Sequence, residues 1–167
     1  MFRLETPHLI LREMRADDAG ALLTVFSDPL VMASFPGTPL FDSARMEAWV
    51  DRNLTHQNEH GYGLFSVVHR TDGVLIGDCG LERMEIGVEL GYDLRSDYWG
   101  RGLATEAAAA VRDFGFTTLA LESLVSLIRV GNDRSRRVAE KIGMSLVRKL
   151  ERNGAAYWLY RVTNRTS

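Results

Sequence analysis

The sequence predicts a mixed α/β (α+β) fold for a single domain spanning residues 1–167, and three observations predict it. The apolar period switches from helical to extended near Gly61. One alanine-rich helical run stands between two strand-like runs. Asn153-Gly154, a strong hairpin signal, sits between two further extended runs near the C-terminus. A chain of 167 residues is long enough to bury a hydrophobic core without staples.

The elements follow in order. Leu9 to Met14 reads as a strand, and Asp17 is positioned to cap a helix whose apolar positions Ala19, Leu22, Leu23 and Phe26 share a face. Pro29 to Pro39, with Phe35-Pro36-Gly37 inside it, reads as a loop. Asp42 caps a second helix that buries Met46, Trp49, Val50 and Leu54 and ends near Gly61. Leu64–His69 and Val74–Leu81 are strands around the turn Thr71-Asp72-Gly73, and Val88–Leu94 is another. From Leu103 to about Thr118 the chain is strongly helical, with Leu103, Ala107, Ala110, Val111 and Phe114 on one face. Leu124–Val130 is continuously apolar, as a central strand is. Asn132 caps a short helix ending at Gly143, and Leu146–Glu151 with Ala156–Thr163 form the final hairpin. The strands on either side of the helix at 103–118 are expected to run parallel through a crossover, the other neighbours antiparallel.

Composition narrows the function. Charged residues make up 25% of the chain and the formal charge is −2, which argues against nucleic acid or a membrane as partner. Arg129 to Arg152 is basic and Asp72 to Asp97 leans acidic, a division that suits an anionic cofactor beside a cationic acceptor as well as two solvated faces. Cys79 is the single cysteine and lies in an apolar stretch, so it reads as a small buried residue. His8, His56, His60 and His69 form no metal-ligand motif, and no metal is expected. With no leader-like start and no apolar run of about 20 residues, the expected location is the cytoplasm.

Trp99-Gly100-Arg101-Gly102-Leu103-Ala104-Thr105 is the most informative segment. Its small residues allow close backbone approach, the helix that follows offers unpaired N–H groups to an anion, and Arg101 adds positive charge. A P-loop is absent. A dinucleotide fingerprint is nearly matched by Gly100-x-Gly102-x-x-Thr105, with Glu122 suitably placed, but its third glycine is missing and Arg95–Trp99 separate it from the strand.

This segment resembles the pyrophosphate-binding motif of the GNAT superfamily, Gln/Arg-x-x-Gly-x-Gly/Ala, with Trp99, Gly102 and Ala104 at the three positions. Trp99 departs from the broad pattern and is similar to the Tyr-Trp-Gly-x-Gly-x-Ala-Thr-Glu-Ala form of the RimJ/RimL-like branch, the ribosomal-protein N-terminal acetyltransferases. The similarity extends over Thr6–Arg12, Glu89–Tyr92 and Asn132–Met144. It implies a central, mostly antiparallel sheet with one splayed parallel pair, flanked by about four helices. It also implies acetyl-CoA as co-substrate. Pantetheine would meet the backbone of Tyr92, Asp93 and Leu94, and the pyrophosphate would meet Trp99 to Thr105.

For the chemistry, an amine attacking a thioester needs a neutral nitrogen, and a thiolate leaves readily enough that a strong acid helps without being obligatory. Glu89, on the strand lining the cleft, is the candidate base and resembles the acidic residue found there in this branch; a salt-bridging surface Glu is the alternative. The Tyr that many GNAT enzymes use as acid is replaced by Ala139. The resemblance implies instead that Asn132 contacts pantetheine and Ser135 assists the thiolate, against a plain cap and a first-turn hydroxyl respectively. Backbone N–H groups near Leu94 are placed to hold the thioester oxygen. The Phe35 loop, Trp49 and a Glu82-Arg83-Met84-Glu85 turn are expected walls for an acceptor amine, either a peptide N-terminus or a small molecule. Tyr157, Trp158 and Tyr160 read as core or interface residues. GNAT enzymes often dimerise, which leaves a homodimer open. The competing functions are a non-catalytic acyl-CoA-binding module, favoured by Ala139, and a nucleotide-binding domain of another class.

Overall fold

The computed structural model describes residues 2–165. The N-terminal part comprises β1 (Arg3–Glu5), β2 (Leu9–Glu13), α1 (Ala19–Phe26), α2 (Pro29–Met32) and α3 (Ser43–His60). The middle holds β3 (Leu64–His69), β4 (Leu75–Met84), β5 (Gly87–Leu94), α4 (Leu103–Thr117) and β6 (Ser123–Arg129). α5 (Asp133–Lys141), β7 (Ser145–Arg152) and β8 (Ala155–Thr163) complete the chain.

The eight strands form one sheet in the order β1-β2-β3-β4-β5-β6-β8-β7. Every neighbouring pair is antiparallel except β5–β6, which the crossover through α4 makes parallel. Two apolar clusters sit on the sheet. The larger joins α4 and α5 to it through Leu81, Leu90, Leu94, Val111, Phe114 and Leu124. The smaller joins α1 to α3 through Leu22, Val25, Phe26, Met46 and Val50. Burying each such side chain contributes about 1.5–3 kcal/mol. Strand alternation divides β4 and β5 accordingly: Cys79 and Leu81 pack toward α4, while Asp78 and Glu82 open toward the α1–α3 side.

Local chemistry explains where the structure departs from the sequence-based expectations. The first helix is not capped by Asp17. A 3-10 turn, Ala16–Asp18, precedes it, and Asp18 is the organising residue. Its carboxylate accepts Nη1 and Nη2 of Arg12, each at 2.8 Å, together with Ser66 Oγ at 2.7 Å and the Arg15 N–H at 2.9 Å. The expected loop Pro29–Pro39 begins with α2, because Asp28 accepts the Leu30 N–H at 2.9 Å and Pro29 suits the first helical position. β1 had no periodic signal, being three residues long at the sheet edge. Glu82, Arg83 and Met84 belong to β4, and the turn lies at Glu85-Ile86, so the hairpin is longer than expected. Asp42, Asn132 and Gly61 do terminate helices as expected.

Candidate functional site

β5 and β6 touch as a ladder at one residue pair, Glu89 with Val125. One residue further on, the contact is already made by a side chain: Ser126 Oγ donates to the Leu90 carbonyl at 2.7 Å. Beyond it the strands part. The splay is what the family resemblance implied for the strand pair flanking α4; the sequence pattern alone predicted only that the pair runs parallel. Glu89 stands at the fork, where its Oε1 receives the Leu127 N–H at 3.4 Å across the gap.

The fork opens into a cavity of about 650 Å³ bounded by β4, β5, β6 and the α1–α3 side. Glu89, Tyr92, Asp93, Asn132 and Ser135, all singled out in the sequence, line it together. Its opposite wall is aromatic: Phe26 stacks against Phe35, Phe41 and Trp49 with ring centroids 5.4–6.2 Å apart. Phe35 and Trp49, expected as walls for an acceptor, both line this cavity.

α5 brings the polar pair. Asn132 caps it, accepting the Ser135 N–H at 3.3 Å through Oδ1. Its Nδ2 donates to Ser135 Oγ at 3.1 Å and to Ser34 Oγ at 3.0 Å, tying the segment after α2 to the start of α5. Since Ser135 Oγ accepts there, its own proton remains to be donated elsewhere. The Tyr92 hydroxyl donates to the Ser135 carbonyl at 2.6 Å and fixes α5 against β5. Ala139 is fully buried in the core, so it contributes no polar group to the cavity.

The glycine loop lies beside the cavity and does not line it. Trp99 anchors the loop to the end of β5, its indole N–H donating to the Leu94 carbonyl at 2.9 Å. Gly102 holds φ +75°, a conformation that favours glycine, and caps α4. The first helical bond runs from Glu106 N to the Gly102 carbonyl. The N–H groups of Leu103, Ala104 and Thr105 thus precede the ladder and face outward from the helix start. Two guanidinium groups border the loop: Arg134 lies 3.4 Å over the Trp99 ring, and Arg101 lies 4.8 Å over Tyr98. Glu106, in the first turn of α4, accepts the His8 N–H at 2.8 Å and bonds His8 Nδ1 at 2.9 Å and Thr6 Oγ1. That contact joins the Thr6-Pro7-His8 segment before β2 to the first turn of α4.

Burial sets the electrostatics. It pushes the Glu89 carboxyl up to about 7, with Glu82 adding to the rise and the Leu127 N–H and Arg152 opposing it. Burial and the Glu89 charge raise Asp93; burial and the Asp93 and Glu82 charges raise Asp78. Burial likewise raises the phenol of Tyr92 and the thiol of Cys79, which is fully buried. Asp93, whose backbone was expected to meet pantetheine, is also among the residues that line the cavity.

Sequence reasoning missed Asp78, Ser34, Arg134 and Tyr157. Tyr157 lines the cavity, whereas the expectation put it in the core or an interface with Trp158 and Tyr160; Tyr160 is indeed buried. The acidic alternation Asp78/Glu82 against Glu89/Asp93 was the available signal for Asp78. For the other three no local pattern exists.

A family profile described as Acetyltransferase (GNAT) domain matches residues 8–145. The uncharacterized protein YkkB of Bacillus subtilis (strain 168) is 34% identical over 163 residues, covering 93% of this chain and 94% of YkkB. The acetyltransferase of Agrobacterium tumefaciens str. C58 superposes with a TM-score of 0.83 at 30% identity, over 97% and 94% of the two chains. RimL, a ribosomal L7/L12 alpha-N-protein acetyltransferase solved in complex with coenzyme A, superposes with a TM-score of 0.82 at 17% identity, a likeness of fold over 99% and 100% of the chains.

Proposed function

Because the chain belongs to the GNAT acetyltransferase family, we propose that it moves the acetyl group of acetyl-CoA to a primary amine by direct attack in a ternary complex. The observation that carries this reading is the fork between β5 and β6, with Glu89 at its apex and the α4 N-terminus beside it. The residues present fit the co-substrate. A parted strand pair exposes backbone for an extended pantetheine arm. Helix-start N–H groups with Arg101 and Arg134 supply positive potential for a pyrophosphate. RimL, which shares the fold, was solved with coenzyme A and lends further support.

Each side chain then has a part. Glu89 takes the proton of the incoming ammonium; held at about 7, its carboxylate is a base matched to neutral pH. The attacking nitrogen bonds to the thioester carbon, and the C–S bond breaks as the tetrahedral intermediate collapses. Ser135, held in place by Asn132 Nδ2, passes its free proton to the departing sulfur and takes in exchange the proton that the attacking nitrogen sheds as the amide forms, so that the thiol leaves neutral and the hydroxyl is restored. Backbone N–H groups near Leu94 receive the thioester oxygen. The acceptor is a protein N-terminus, as in the RimJ/RimL-like branch, or a small amine.

The test is acetyl-CoA-dependent thiol release over a panel of N-terminal peptides and small amines, with acceptor-free hydrolysis subtracted. Release with either half establishes transfer and the acceptor class. Tight acetyl-CoA binding with no release on any acceptor would support a non-catalytic module, the reading that buried Ala139 favours.

A further inference from the structure

Strands β5 and β6 part beyond Leu90, yet one short segment is bonded to the chain just past both of them. Asp28, the cap of α2, accepts Ser96 Oγ shortly after β5 ends. Ser34, shortly after α2 ends, accepts Asn132 Nδ2 at 3.0 Å in the stretch that follows β6. α2 is therefore a crosspiece between the two arms of the fork. Short as it is, it is firmly held. Val31 is buried in the α1–α3 cluster, and the N–H groups of Ala33, Ser34 and Phe35 bond back to the carbonyls of Pro29, Val31 and Met32.

The Ser34 end of the crosspiece bears on the leaving-group side of the cleft. An Asn amide has one acceptor oxygen and an NH₂ with two protons to donate. Asn132 gives its oxygen to the Ser135 N–H, the cap of α5. Turning the amide over would set N–H against N–H, so the cap fixes which way the nitrogen faces. There the nitrogen meets two hydroxyls, Ser135 Oγ at 3.1 Å and Ser34 Oγ at 3.0 Å, one for each of its protons. The terminal torsion of an Asn side chain is broad, and a cap bond of 3.3 Å restrains it weakly. Ser34 supplies a further contact, from an element remote in sequence, that fixes the plane of the amide. The backbone of Ser135 is held separately, by the Tyr92 hydroxyl on its carbonyl. The direction in which its side-chain proton points is thus left to Asn132.

We propose that Ser34 is a positioning residue for the transfer. Through Asn132 Nδ2 it keeps the Ser135 hydroxyl accepting from the amide and presenting its own proton to the cavity, with α2 as the fixed point. This rests on the acetyl-transfer reading of the same cleft and adds a residue that acts through Asn132.

Steady-state thiol release with the best acceptor of the peptide and amine panel is compared in Ser34→Ala, Ser34→Thr, Ser135→Ala and the double variant Ser34→Ala/Ser135→Ala. Ser34→Ala should lower kcat about 3- to 10-fold, the range of one net hydrogen bond, while the Kd of acetyl-CoA by calorimetry changes less than about 2-fold. Ser34→Thr keeps the hydroxyl and should recover most of the loss. In the Ser135→Ala background the Ser34→Ala change should cost less than about 2-fold, because the hydroxyl it positions is gone. A role confined to holding the fold would lower kcat equally in both backgrounds; that result, or an unchanged kcat in Ser34→Ala, overturns the proposal. Heteronuclear NMR of the Asn132 side-chain amide reads the contact without turnover: Ser34→Ala should speed the exchange of its protons with solvent severalfold, and unchanged exchange likewise overturns the proposal. Faster exchange, together with no thiol release by the wild type on any acceptor, would leave the hold of Ser34 on Asn132 standing and remove the transfer reading.

Discussion

Replacing Glu89 by Gln should stabilise the protein at high pH while disabling it. The carboxyl is raised from 4.5 to about 7 by burial first, with Glu82 in support. That is a difference of about 2.5 units, and at 1.36 kcal/mol per unit it amounts to about 3 kcal/mol. The sign follows from which state holds the proton. The folded state keeps Glu89 protonated above the pH at which the unfolded chain releases it. Stability is therefore full below about 4.5, declines as pH rises through the interval to about 7, and is flat beyond. Gln has no such decline, and its Oε1 retains an acceptor for the Leu127 N–H. Urea unfolding of both proteins at pH 4.5, 6 and 8 should show a gap near zero at the lowest pH, opening to about 3 kcal/mol at the highest. For a chain of this size that gap is a rise in midpoint of about 6–12 °C. A gap independent of pH would refute the reasoning, since it would mean Glu89 titrates as a solvated carboxylate. The same variant should lose about 10²–10⁴-fold in kcat, and wild-type turnover should climb as pH passes about 7. Retained turnover would remove Glu89 as the base.

Ser135→Ala should lower kcat with little change in acetyl-CoA affinity measured by calorimetry; unchanged kcat would take Ser135 out of the mechanism. Asp18→Ala leaves the Arg12 guanidinium, 19% exposed, without its partner and should cost about 3–5 kcal/mol in urea unfolding. Although burial opposes it, bonds from Arg12, Ser66 and Arg15 hold the Asp18 carboxyl below its ordinary value, so the stability it contributes should fade as the medium becomes acid. Gly80→Ala would put a Cβ 2.3 Å from the Gly63 carbonyl oxygen and 2.5 Å from the Leu64 Cα. Both are backbone atoms of a paired strand or its entry, so the variant should express poorly or melt far below wild type; a normal melt would show that β3 moves aside.

By itself the sequence determined the features that local physics writes into consecutive residues. Asp42 and Asn132 at helix starts, the alternation of β3 to β5, the alanine-rich α4 and the Asn153-Gly154 turn each depend on near neighbours. The backbone confirms the last, with Asn153 and Gly154 both at positive φ. The glycine loop was legible for the same reason, since a helix start and two small residues are a local pattern. Glu89, Asn132 and Ser135 could be nominated from resemblance, but their meeting at one cavity could not be read from spacing. It depends on Ser126 closing the fork at Leu90 and on Tyr92 docking α5, contacts that join residues 36 and 43 apart in sequence. Asp78 was hidden more completely. In the sequence it is one polar residue in an apolar run, beside a cysteine that turned out to be core. Only the antiparallel register of β4 on β5 sets it against Asp93, and only the α1–α3 layer above buries the pair and removes the water that would otherwise solvate both charges.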